Sequence, residues 1–261
     1  EIVKMELLDS GAELIRTTLK VLKNPEKGGR TDIRFFCLVR IKGVDHRFER
    51  EISTQKSFYE PWVIEGVVWY LDAVRAIFDF LQETHGECKP AAEARFALHD
   101  ASTRICPEKL MPWCPLPEGG LRIEDCFRGE DCWLGAYNGA DAHGGLDINH
   151  PKGTPLYTPL AFDDHFYFNS VEMGHNNNRW RALRRWEDGS VWILQAHHME
   201  KLLVPEHGPL PAGVHFASAA GVWCGLHDHS HFVFKILDQG ELYALDPWIL
   251  FRQMYIDNNL R

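Results

Sequence analysis

Residues 143–155 read HGGLDINHPKGTP, and the rest of the chain is arranged around them. His143 and Asp147 stand four residues apart across two glycines, and a proline-glycine turn follows. In an extended strand the two would share a face but lie roughly 13 Å apart, at about 3.3 Å per residue, too far to share an ion. A bend has to bring them together, and Gly144 and Gly145 supply the permissive backbone for it. The glycines and Pro151 argue against a helix doing so through i,i+4 spacing. Taken alone, a histidine and an aspartate in a polar turn explain the pattern better than half of a metal site.

The surrounding sequence raises its significance. Eleven of the fourteen histidines lie between His143 and His231, among short apolar runs broken by turns: TPLYTPL, HFYFNSV, WRALRRW, SVWILQAHH, HFASAAG and HSHFVFKI. This is an all-β pattern. Glu187-Asp188-Gly189 forms the turn of a hairpin whose second strand ends at His197. His227, His229 and His231 alternate with Asp228 and Ser230, so on a strand the three imidazoles point the same way, neighbours about 6.6 Å apart. A polar strand face exposed to solvent is the alternative. Of His197 and His198, only one can face the side of that cluster in a regular strand, and spacing does not say which. Either is also compatible with a core histidine satisfied by a backbone carbonyl. Together the groups offer imidazoles and a carboxylate suited to zinc, with a fourth position left for water and further imidazoles for proton handling and oxyanion stabilisation.

HGGLD, QAHH and HSHF, in that order and with PKGTPLY after the first, resemble the lysostaphin-type zinc metalloendopeptidases. The family's signature is HxGxD, a lone histidine preceded by alanine, and HxHF. The resemblance runs from about Ala136 to Trp248, including GVHFASAAG and LDPWILF. It implies a duplicated hybrid motif fold, one Zn2+ per chain held by His143, Asp147 and His231, and catalytic roles for His197 and His229 beside the metal. Phe232, following the second histidine of HxHF, sets this register. His198 and His227 have no counterpart and are expected beside the site or facing solvent. Gln195 stands where the family usually has tyrosine, and the segment before His197 is long, with an unusual HNNNRW loop. These departures concern the substrate groove. The implied activity is hydrolysis of peptide bonds, in peptidoglycan cross-bridges or related peptides. The alternative is a metal-binding regulatory or interaction protein that keeps the barrel without cleaving.

Before residue 120 the chain has another character. Val3–Leu8 and Leu14–Leu22 suggest a hairpin turning at Ser10-Gly11, and IRFFCLVRI and HRFEREIS a second turning at Lys42-Gly43. Pro61 suits the first turn of a helix running to about Leu81, and Arg95–His99 reads as a short strand. Residues 106–120, CPEKLMPWCPLPEGG, hold four prolines and two glycines and read as a linker. The expectation is an α+β protein: residues 1–120 form a mixed domain of β-hairpins and one long helix, and residues 121–261 an all-β open barrel or sandwich.

Composition sets the limits. The 261 residues are 45% hydrophobic and 25% charged, ordinary for a globular chain. With 28 basic against 37 acidic residues, a nucleic-acid partner has no electrostatic support. The most apolar stretch, Trp62–Leu81, carries Glu65, Asp72, Arg75 and Asp79 and does not suit a membrane span. Seven cysteines, four of them within Cys106–Cys132, lack zinc-knuckle spacing and suggest disulfides. Cys224, the leftover, reads as a small packed thiol. Cysteine content and family resemblance together point to an exported protein, periplasmic, cell-envelope or secreted; the chain begins at Glu1 without Met, as after removal of a signal.

Overall fold

The computed structural model describes residues 3–17, 31–52, 59–77, 79, 92–114, 135–137, 140–143, 145–149, 151–169, 178–220, 222–224 and 227–258. Cys88, Cys126, Cys132, Gly144, residues 115–120 and residues 175–177 of the HNNNRW loop lie outside them.

Strands β1 (Met5–Thr17), β2 (Thr31–Ile41) and β3 (Val44–Ile52) form an antiparallel sheet in that order. Lys42 and Gly43, both at positive φ (48° and 86°), make the expected tight turn between β2 and β3. The hairpin expected at Ser10-Gly11 does not form, and β1 runs through both residues. Gly11 serves close packing instead: a Cβ there would sit 2.9 Å from Phe36 Cε1.

Over Trp62–Val74 the helix expected from Pro61 to Leu81 is also replaced by strands, while Asp79 is helical. β4 (Trp62–Ile64) and β5 (Val67–Val74) pair through a turn at Glu65 and Gly66, with φ of 53° and 74°, and a 3-10 turn follows at Arg75–Ile77. β6 (Ala94–Asp100), the strand expected around Arg95–His99, completes the sheet. The physical reason is burial on both faces. All but the first residue of β5 are buried, so no polar alternation marks it as a strand. Its one carboxylate, Asp72, is held by Arg95 with Nε 3.0 Å from Oδ2.

The second half is β-rich as expected. A small hairpin of β7 (Gly135–Tyr137) and β8 (Ala140–His143) leads into β9 (Leu146–Asn149), followed by β10 (Pro155–Tyr157), β11 (Asp164–Phe168), β12 (Asn178–Arg185) and β13 (Val191–Leu202). β14 (His215–Ala219), β15 (Val222–Cys224), β16 (His227–Asp238) and β17 (Glu241–Leu245) follow, and helix α1 (Trp248–Asp257) closes the chain. Among the described residues the large sheet has nine strands and stays open: β10, β14, β13, β12 and β11 lie side by side, and β16 joins β13 to β9, β15 and β17. The expected turn at Glu187-Asp188-Gly189 links β12 to β13, with Gly189 at φ 87° and Asp188 Oδ1 accepting from Ser190 N at 2.8 Å.

An aromatic core fixes the sheet. Trp113, Trp180, Phe216 and Phe232 are fully buried; Trp180 stacks on Phe216 at 4.3 Å, and Trp113 meets Phe232 edge-on at 4.9 Å. Trp113 belongs to the proline-rich stretch. Over its described part, residues 106–114, that stretch is bonded to the rest of the fold: Cys106 N donates to Gln253 Oε1 (2.9 Å), Leu110 N to Asp257 Oδ2 (2.7 Å) and Tyr157 N to Trp113 O (2.8 Å). Farther upstream, Arg50 Nη1 of β3 lies 3.1 Å from Asp246 Oδ2, both side chains 1% exposed. Cys37 and Cys106 are buried thiols, not disulfides, which corrects the expectation for these two. Burial pushes the Cys37 thiol up to about 12 and the Cys106 thiol up to about 11. Among the described residues no helix is long and apolar enough to cross a membrane.

Candidate metal centre

The site begins with the alternation of β16. Ser230, Phe232 and Phe234 are buried at 0% exposure, so the intervening odd-numbered positions fall on the other face. Phe232 meets both Trp113 and Phe251 edge-on, at 4.9 Å each. Its neighbour in register, Ala196 of β13, is also buried. A slip of one residue would drive these into solvent and the histidines into the core, so packing on one face specifies the register of the other.

That register aligns three of the sequence-expected residues. His231 pairs with Asp147 of β9 on one side and with His197 of β13 on the other. Residues opposite each other on adjacent strands are neighbours on one face of a sheet. The row Asp147, His231, His197 therefore crosses three strands without interruption. The rings of His231 and His197 are 5.0 Å apart, and His197 Nε2 is enclosed from solvent.

His143, Asp147, His227 and His229 are described by their backbone. His143 ends β8, opposite Gly135, two residues before the start of the close approach at Gly145. His229 pairs with Asn149 and Val222, and His227 with Cys224. The strand expected to carry His227, His229 and His231 is thus present.

Gly145 does more than permit a bend. A Cβ on it would collide with His231 Nε2 and lie 2.6 Å from both His231 Cε1 and the Phe232 carbonyl oxygen. The backbone before Asp147 is laid against the His231 ring, at a distance only glycine allows. The sequence signalled a special backbone here but not the contact that requires it.

His198 lies beside the site, one of the two places expected for it, but regular strand alternation does not put it there. Consecutive strand residues ordinarily face opposite ways, yet His198 lies 6.2 Å from the His197 ring and 6.4 Å from the His231 ring. A bulge explains it. Trp180 pairs with Ala196 but Asn178 pairs with Met199, so β13 carries one extra residue, and His198 takes a left-handed φ of 65°. There β13 also changes partner, from β16 up to His197 to β14 from Met199 onward.

Among the described residues no group of three or more histidines, cysteines and carboxylates is arranged to hold a metal. The expected zinc donors are His143, Asp147 and His231. Their chemistry, two imidazoles and a carboxylate, suits zinc, and the Gly145 cradle holds the His231 ring beside the strand carrying Asp147.

No protein-family model matches the chain, and no curated protein matches it by sequence. Solved structures similar to the chain include three peptidases. The catalytic domain of the antimicrobial peptidase lysostaphin from Staphylococcus simulans is 20% identical, covering 44% of this chain and 82% of that one, with a TM-score of 0.35. A candidate peptidase M23 from Pseudomonas aeruginosa is 14% identical over 95% of this chain and 91% of that one, with a TM-score of 0.33. A zinc containing peptidase from Vibrio cholerae is 14% identical over 93% of this chain and 70% of that one, with a TM-score of 0.34.

Proposed function

We propose that the chain is a zinc-dependent endopeptidase acting on peptide bonds, with peptidoglycan cross-bridges or related peptides as substrate class. The observation that carries this reading is the row Asp147, His231, His197 across β9, β16 and β13, with Gly145 packed under the His231 ring. A polar turn or a solvated strand face has no need of such a close approach.

In this reading His143, Asp147 and His231 hold the ion. Zinc there would act as a Lewis acid toward the scissile carbonyl and would acidify water. The chain's own residues do the rest. His197 and His229 share the work of taking a proton from water, returning it to the leaving amine and stabilising the developing oxyanion. His197 is the better defined of the two: its ring lies against His231, and its enclosed Nε2 is in a setting where electrostatic interactions are stronger than in bulk water. The expectation of export follows from this substrate class; Cys37 and Cys106, as free thiols, add no disulfide support to it.

Incubating the purified chain with peptidoglycan and with glycine-rich peptides, with and without a chelator, tests the proposal. Chelator-sensitive cleavage and about one zinc per chain are expected, the latter measured by elemental analysis. His197→Ala should abolish turnover while retaining zinc. Absence of cleavage from every substrate, with zinc bound, would leave the non-cleaving alternative.

A further inference from the structure

We propose that His198 is a positioning residue of this site: its ring, turned inward by a left-handed backbone, fixes the planes of His197 and His231. In a regular strand its side chain would project to the face opposite His197. The extra residue in β13 and the φ of 65° carry it back, and the His198 carbonyl accepts from Ala220 N at 2.8 Å, tying the bulge to the residue that follows β14. A non-glycine residue in this backbone region is uncommon and persists where its surroundings over-determine it, often at functional sites.

The ring geometry shows what the strain accompanies. His197 and His231 lie at 33° to each other, partly stacked at 5.0 Å. His198 stands nearly perpendicular to both, at 89° to His197 and 72° to His231. Edge-to-face contact is a favoured arrangement of aromatic rings at centroid separations of about 4.5–7 Å. A single ring placed edge-on against two partly stacked ones restricts the rotation of both. His198 thereby acts through His197 and His231. It contributes alignment, which matters because small misplacements of reacting groups cost large factors in rate. The consequence for rate rests on the hydrolytic reading; the consequence for ring order does not.

Two variants of the full chain test this. His198→Asn tolerates the left-handed backbone but removes the ring, whereas His198→Phe keeps an aromatic ring and removes its nitrogens. Long-range 15N–1H spectra report the order of the His197 and His231 rings, and kcat and KM are measured on a cleaved glycine-rich peptide. His198→Asn should broaden or split both sets of ring signals and lower kcat at least about tenfold, with KM within about twofold. His198→Phe should restore sharp signals and bring kcat to within about threefold of the parent. Should His198→Asn fail to fold, His198→Gly carries the same expectation. Unchanged ring spectra in the ringless variant, or a His198→Phe variant as impaired as His198→Asn, would overturn the proposal. If the parent chain cleaves nothing, the hydrolytic reading fails while the ring spectra still decide the role of His198.

Discussion

Gly145 shows how one residue's absent side chain shapes the site. Adding a methyl group there forces either the His231 ring or the Phe232 carbonyl to move, and the carbonyl is held in a sheet. Gly145→Ala should therefore displace the ring, reduce bound zinc well below one per chain and abolish cleavage, at a stability cost of about 1–3 kcal/mol. Elemental analysis beside a denaturant titration separates loss of the site from loss of the fold. The thiols give a second expectation. Burial holds Cys37 up to about 12 and Cys106 up to about 11, so at pH 8 both are protonated in the folded chain and resist iodoacetamide. Unfolding returns them towards the free-cysteine value of about 8.5, and alkylation followed by mass spectrometry should find both modified only then. At this scale HGGLD and HSHF were legible in sequence because residue type and spacing survive without the fold. The inward turn of His198 was not, because no glycine or proline marks it.

The elements divide by how they are buried. β12 and β13 alternate in burial and announce themselves by that alternation, and the hairpin at Glu187-Asp188-Gly189 was readable from its turn residues. β5, buried on both faces, loses that alternation, and its apolar run imitates a helix. Gly66 tests which it is. In a helix interior Gly66→Ala would stabilise by about 1 kcal/mol. With φ at 74° in a tight turn, the same change should instead destabilise by about 1 kcal/mol, read from the urea midpoint. β1 teaches the complementary lesson, since Ser10-Gly11 reads as a turn by composition while Gly11 makes room for Phe36 within a continuous strand.

Across the whole molecule, the ties between the first and second halves are those local pattern could not supply. Arg50 and Asp246 are 196 positions apart in sequence, and nothing near either predicts their contact. Arg50→Met leaves the Asp246 carboxylate buried without its cation and should cost about 3–5 kcal/mol, whereas Arg50→Met with Asp246→Leu should recover much of that loss in an equilibrium unfolding titration. A chain shortened to begin at Gly120 also loses Trp113 from between Trp180, Phe216 and Phe232. It should be less stable than one beginning at Arg104, with removal of that indole alone worth about 3–5 kcal/mol, and thermal unfolding of the two would check this.

β16 is clasped by β13, β15, β17 and β9, so its position does not depend on any single neighbour. The connections between those strands can therefore lengthen, shorten or change composition while the row through His231 stays in place. Such a framework leaves the rim of the site free to diverge, and new substrate preferences can arise by insertion around a chemistry that does not move.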